Sequence, residues 1–367
     1  MGKLHQTYTL TVTTLAPLHI GTGRTLLNGF DFVTYRGRTW IIDDEALAAM
    51  IYDKEDGDIT DMASGRPADE LLTDADYEET APWVRYILRG EPRSERRGAV
   101  VQEQIKDPWD RPYIPGSSLK GALRTALFYV GYDPNNSSVA IDVQRLDRRG
   151  QFAAQRTEQA ILGSDPNHDL LRALQVSDST ADDQRQLQLL NVAVATRETA
   201  SGAPIELEAI RKDVTFTMRL TLDGYLLQEA IRKKLNFDED MSTFLKHLPD
   251  VVKEFTRRRL LADSKRPRGP RWRNQIQGIK HTYAALAENE FLLQLGWGGG
   301  WDSKTLGDHL TKDEALFSAL DRTYRLTHRG EVGDRFPKSR RVIVRREDPR
   351  EPLGTLGWIK VKMERES

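Results

Sequence analysis

Apolar positions alternate or recur at helical spacing along most of the chain, and each pattern predicts an element. Tyr8, Leu10 and Val12 alternate with Thr9, Thr11 and Thr13, as in a half-buried strand. Val214, Phe216, Met218, Leu220 and Leu222 alternate with Thr215, Thr217, Arg219 and Thr221 in the same manner. Residues 187–196, 205–210 and 291–295 read as further strands, and 173–177 as the start of one. Ile359, Val361 and Met363 mark one face of a closing strand, with Lys360 and Lys362 on the other. Residues 30–35 and 39–42 read as a hairpin turning at Arg36-Gly37-Arg38. Leu119, Leu123 and Leu127 repeat at every fourth position with Ala122 and Ala126 beside them, which predicts an amphipathic helix over 119–130. Helices are also predicted at 45–51, capped by Asp43-Asp44, at 83–88, at 156–162, within 241–261 and at 281–290.

Strands interspersed with helices predict the α+β class. The likeness between the first strand and 214–222 suggests two related α+β units, residues 1–200 and 201–367. Residues 53–80 are rich in Asp and Glu and read as an acidic surface insertion in the first unit. They show no regular metal-ligand spacing.

Composition narrows the function classes. The chain has 367 residues and a formal net charge of -1, so nucleic-acid binding would have to come from local patches. It has no cysteine, which excludes disulfides, thiolate metal sites and cysteine nucleophiles. Its seven histidines form no HxxxH or HExxH motif. No metal, no cofactor and no histidine-based acid–base pair is therefore expected. The N-terminus alternates rather than forming a signal-peptide core, and no stretch is long and apolar enough to span a bilayer. A cytoplasmic protein with no membrane partner is expected.

Three segments combine glycine with cations or aromatic rings. In 116–124, Ser117 or Ser118 can cap the central helix, Lys120 and Arg124 share one face, and Gly121 between them permits close approach by a second chain. A turn, a helix N-terminus and two cations suit a phosphate; the alternative is a capped helix with solvated cations. In 257–273, Lys265, Arg266, Arg268, Arg271 and Arg273 surround Trp272 in a stretch broken by Pro267, Gly269 and Pro270. Charge for a backbone and a ring for a base suit single-stranded nucleic acid; the alternative is a solvated loop. In 296–305, Gly298, Gly299 and Gly300 lie between Trp297 and Trp301, followed by Ser303, Lys304 and Thr305. That loop either receives a nucleic-acid chain or makes a tight turn between core tryptophans. His19 stands beside the small-residue turn Gly21-Thr22-Gly23-Arg24, and Asp31 follows an Asn-Gly-Phe turn without an evident carboxylate partner.

Leu18-His19-Ile20-Gly21-Thr22-Gly23, the segment IPGSSLKGALR at 114–124 and the late loop LGWGGGWDSKT together resemble the RAMP superfamily of CRISPR-associated proteins. The late loop and Pro352-Leu353-Gly354 through Gly357-Trp358-Ile359-Lys360 look most like the fifth Csm subunit family of type III-A complexes. The resemblance implies a ferredoxin-like (RRM-like) fold. It implies a non-catalytic subunit that binds CRISPR RNA, caps the effector filament at the RNA's 3′ end and supports maturation and assembly. Its partners would be the repeated backbone subunit, the small helical subunit and, indirectly, target RNA. RNA contacts are then expected from His19, Gly21, Gly23, Arg24, Ser117, Ser118, Lys120, Arg124, the basic segment and the glycine-rich loop. Backbone subunits of the family carry a cleaving aspartate near the place of Asp31, but in a different local context, so Asp31 is not assigned that role. The rivals are a capping subunit of another type III complex, a stand-alone RAMP endoribonuclease using His19, and a structural subunit whose basic loops bind protein.

Overall fold

A computed structural model describes residues 5–54, 65–94, 96, 98–147, 149–196, 200–265, 269–327, 336–337, 339–366. The fold is α+β, built on two sheets. The first takes β1 (His5–Thr14), β7 (Leu174–Val176), β10 (Thr215–Asp223), β11 (Glu290–Gln294) and β13 (Trp358–Arg365), in the order β11-β13-β1-β10-β7, all antiparallel. Its buried face follows from alternation. Leu10 and Val12 lie opposite Met218 and Phe216 on one side and Met363 and Val361 on the other. The helices α2 (Gly116–Gly131) and α3 (Leu248–Asp263) cover that face, and Leu119, Leu123, Leu127, Val252 and Phe255 complete the core. The other face carries Thr9, Thr11, Thr13, Thr215, Thr217 and Arg219.

β1, α2, β7 and β10 are arranged as the first three strands and first helix of a ferredoxin-like unit; β13 lies beside β1 and antiparallel to it, and α3 leads to β11 outside β13, parallel to β1. The second sheet is formed by excursions from that unit. It takes β2 (Gly21–Leu27), β3 (Phe32–Tyr35), β4 (Arg38–Ile42), β5 (Val84–Arg89), β6 (Val100–Gln104), β8 (Leu187–Ala195) and β9 (Ala200–Ile210), in the order β2-β6-β9-β8-β5-β4-β3, and β12 (Arg340–Val344) also pairs with β8.

Each sheet therefore draws strands from both sides of residue 200. The matching patterns of 8–13 and 214–222 have a direct physical cause: β1 and β10 are neighbours, so they share the same two environments.

Residues 84–88 of the helix expected at 83–88 lie in strand β5 instead, and Trp83 in the turn before it. Tyr86 and Leu88 turn inward while Arg85 and Arg89 stay exposed, a period of two that six residues do not separate from a helical turn. Of the acidic insertion, 55–64 lies outside the described residues. The rest is tied down: Tyr77 stacks on Tyr35 with ring centroids 3.9 Å apart, beside Trp40 and Trp83, and Arg38 and Lys54 pair with Glu79 and Asp76. The region packs under α1 (Asp44–Lys54), whose first turn is capped by Asp43 accepting from the Ala46 amide at 3.0 Å. Among the described residues, no helix is long and apolar enough to cross a membrane.

Candidate nucleic-acid interface

Three of the glycine-bearing segments, 18–23, 296–305 and 352–360, meet at one junction. The Trp297 amide donates to the His19 carbonyl at 2.8 Å, the Leu295 amide to Gly357 at 2.7 Å, and the Gly357 amide to Pro17 at 2.8 Å. Glycine is required at this junction: a Cβ on Gly296 would stand 2.2 Å from the His19 carbonyl oxygen, and one on Gly357 would stand 2.1 Å from that of Leu295.

His19 is 1% exposed. Its Nδ1 donates to the Glu208 carbonyl at 2.6 Å, and its ring meets Trp297 edge-on at 6.2 Å. A carbonyl only accepts, so Nδ1 carries the proton and Nε2 faces Gly21. Burial lowers the imidazole pKa below its ordinary value; the bond to Glu208 opposes this and the charge of Lys106 adds to it. His19 is thus a neutral packing residue, not one presented to a ligand.

What the turn does present is its outer edge. Gly21, Thr22, Gly23, Arg24 and Thr25 are exposed on β2, the edge strand of the second sheet, where a bulge interrupts pairing with β6. The Arg24 side chain is 76% exposed. Thr22 donates to the Glu103 carboxylate at 3.0 Å and accepts from the Arg24 amide at 3.0 Å.

Under this turn lies a polar cluster that no sequence pattern announced. Glu208 accepts from the Tyr86 hydroxyl at 2.7 Å, the Gln104 amide at 2.9 Å and Lys106 at 2.6 Å. Lys106, with 4% of its side chain exposed, also lies 3.6 Å from Glu103. Its only local trace is the Glu103/Lys106 spacing; Glu208 is a hundred residues away in the chain and leaves none.

The helix N-terminus differs from expectation. Neither Ser117 nor Ser118 caps α2; Pro115 occupies the cap, and Asp178 accepts from the Gly116 amide at 2.8 Å. A carboxylate already answers the helix dipole there. Gly116 serves close packing, since a Cβ would stand 2.3 Å from the Val176 carbonyl oxygen. Arg124 is paired within the chain, donating to Glu158 at 2.6 Å and Asp169 at 2.7 Å. Burial lowers its pKa, but those two bonds outweigh burial and the net shift is upward. Lys120 is half-buried, and no carboxylate among the described residues reaches it at ion-pair distance. Burial lowers its pKa, with Asp169 opposing. Gly121 is open: a Cβ there would meet nothing within 4 Å, which leaves room for close approach by another chain. Of this segment's cations, Lys120 is the one left to face a ligand.

The glycine-rich loop serves the protein's own packing. A Cβ on Gly298 would contact Leu356 at 3.3 Å, one on Gly299 would stand 2.5 Å from Ser303 Oγ, and one on Gly300 would stand 1.8 Å from Arg340 Nη1. Trp297 is half-buried beneath Arg341, whose guanidinium carbon lies 4.6 Å from the ring centroid. Lys304 is exposed.

The basic segment is mostly helical. α3 extends to Asp263 and a further helix, α4 (Gly269–Ala284), begins soon after; Arg266 and Arg268 lie outside the described residues. Trp272 is 2% exposed and packs with Ile276, Ile279 and Trp358, so its ring is not offered to a base. Arg271 lies 3.3 Å from Glu351, while Lys265 and Arg273 are exposed. The Asp31 carboxylate accepts from the Leu27 amide at 2.6 Å, a turn-closing role. Among the described residues, no group of three or more His, Asp or Glu side chains could hold a metal ion.

The chain is similar to the CRISPR system Cms protein Csm5 of Streptococcus thermophilus, 26% identical over 278 residues, spanning 68% of this chain and 75% of that protein. It is similar to the CRISPR system Cms protein Csm5 of Methanocaldococcus jannaschii, 23% identical over 382 residues, spanning 95% and 87%. A chain of the cryo-EM structure of a Csm–crRNA–target RNA ternary complex shares its fold, with a TM-score of 0.67 at 22% identity, covering 97% of this chain and 100% of that one. The crystal structure of T. onnurineus Csm5 gives a TM-score of 0.62 at 21% identity, covering 95% and 99%. The family model of the RAMP superfamily matches residues 11–301, and with that match spanning most of the chain, this protein belongs to the RAMP superfamily.

Proposed function

We propose that this chain is a CRISPR-RNA-binding subunit of a type III-A (Csm) RNA-guided effector complex. In that role it caps the backbone filament at the 3′ end of the CRISPR RNA and supports RNA maturation and assembly in antiviral defence. The observation that carries the reading is the exposed edge of β2: five consecutive outward residues with two glycines and Arg24, braced from below by a buried polar cluster. A glycine-bearing exposed edge and a largely exposed cation, 3.9 Å from Glu103, on a firm base suit a phosphate chain and read no sequence, as expected where a guide supplies pairing. The Csm5 names of its relatives and the crRNA-containing complex whose chain shares its fold support the same assignment. Its partners in that role are the repeated backbone subunit, the small helical subunit and, through the guide, target RNA, in the cytoplasm.

The role is non-catalytic. The burial of His19 and the turn-closing bond of Asp31 support that reading. This weighs against a stand-alone endoribonuclease.

The test is co-expression with the neighbouring genes, purification through a tag on this chain, and sequencing of the co-eluting RNA. Repeat-derived RNAs with a shared 5′ tag, together with partner subunits, are expected, and deleting this chain should remove the 3′-trimmed species. A clean monomer without RNA would overturn the reading.

A further inference from the structure

Among the described residues the most exposed large apolar side chain is Trp109, at 69%. It sits on the turn between β6 and α2, and the guanidinium carbon of Arg111 lies 5.1 Å from its ring centroid. The turn is held firmly. The Asp107 carboxylate accepts from the Trp109 amide at 3.0 Å, the Arg111 amide at 3.0 Å and Arg111 Nε at 2.8 Å. Asp110 takes both Arg85 Nε and Nη2 at 2.6 Å, and the Asp107 amide closes the turn onto the Arg111 carbonyl at 2.9 Å. A ring carried on a turn held this way needs little backbone ordering on binding.

Its position adds to this. The turn leaves β6 just after Gln104, which pairs with Gly21, and leads to Pro115, the cap of α2. Arg85 also lies within electrostatic reach of Glu103, the residue that holds Thr22. The turn therefore links the exposed glycine edge to the helix that carries Lys120. The charged groups beside Trp109 are Asp107, Asp110 and Arg111, and Arg85 is held on Asp110. An exposed indole backed by a guanidinium is the arrangement that stacks an unpaired base.

We infer that Trp109, backed by Arg111, is a stacking platform for one unpaired nucleobase of RNA running along the glycine edge. This rests on the RNA-binding reading above. The test measures binding of the full chain to labelled single-stranded RNA across a salt series, for the wild type, Trp109→Ala, Trp109→Phe and Arg24→Ala. Trp109→Ala should weaken binding by about ten-fold with an unchanged salt slope, because a stack and no phosphate contact is lost. Trp109→Phe should retain most of the affinity, and Arg24→Ala should flatten the slope. A single abasic position in the RNA should abolish the difference between wild type and Trp109→Ala. Wild-type affinity in Trp109→Ala would overturn the stacking site alone, as would loss of partner subunits with RNA affinity intact. A wild-type chain that binds no RNA would overturn both readings.

Discussion

Two buried charge clusters support the same junction, and they are built to different standards. Beneath the glycine turn, both oxygens of Glu208 are engaged, by Tyr86 on one and by Gln104 and Lys106 on the other. Beneath the glycine-rich loop, Arg340 Nη2 reaches Asp263 at 3.0 Å and Gln294 at 3.1 Å. Yet Arg340 Nε, Arg340 Nη1 and Asp263 Oδ1 have no hydrogen-bond partner among the described residues. Arg259 lies 3.6 Å from Asp263 and 3.2 Å from Asp302 in the same cluster. A satisfied network specifies one arrangement of the groups above it, whereas the buried Arg340–Asp263 pair, with atoms unbonded among the described residues, holds mainly by charge and gives back much of that gain in desolvation. The exposed edge with Arg24 stands over the first kind, and the internally packed loop over the second.

The largest expected effect tests the satisfied cluster. Glu208→Leu leaves Lys106 buried with only Glu103 nearby and should cost about 3–5 kcal/mol in urea unfolding. Adding Lys106→Met should recover only part of that, because the Tyr86 hydroxyl and the Gln104 amide still lack an acceptor, at about 1–3 kcal/mol each.

The matching pair of substitutions at the other cluster should behave differently. Arg340→Met alone should destabilise by leaving Asp263 with only Arg259 nearby; adding Asp263→Leu should recover most of that loss, with about 1–3 kcal/mol left because Gln294 Oε1 loses its donor. Equal losses in the two double variants would erase the distinction between the clusters.

A smaller effect is expected from Gly300→Ala. Its φ of +77° and the 1.8 Å approach of Arg340 Nη1 should cost about 1–3 kcal/mol, and less when Arg340 is already Met. Additive losses in unfolding experiments would show that the glycine is not there to admit the arginine.

The smallest is a pH effect at His19. Its folded pKa lies below the ordinary 6.5, so the unfolded chain takes up the proton first. Stability is therefore full above pH 6.5 and declines as pH falls through that value toward the folded one. His19→Gln should flatten this slope in melting curves between pH 7 and 5, leaving the part due to His309, which burial also lowers.

Periodicity located β1, β10, β13 and α2, because each has a more buried and a more exposed face and the spacing of its apolar residues records that contrast, whereas β8, β9 and β11 were legible as short apolar runs and are buried along most of their described length. The α+β class and the glycine-bearing motifs were legible for the same reason: they are local in the chain. The tertiary structure decided the rest. It made neighbours of β1 and β10, whose shared pattern reads equally as a repeat, and it placed strand β5 where a short apolar run also fits a helix. It gave Arg124 to Glu158 and Asp169, put Trp272 in the core, and left Trp109 outside it. A cation or an indole carries no mark in the sequence of whether its partner is solvent, a ligand or a residue far along the chain. That depends on which distant segment folds against it, as Glu208 does against Lys106 and Asp178 against the start of α2.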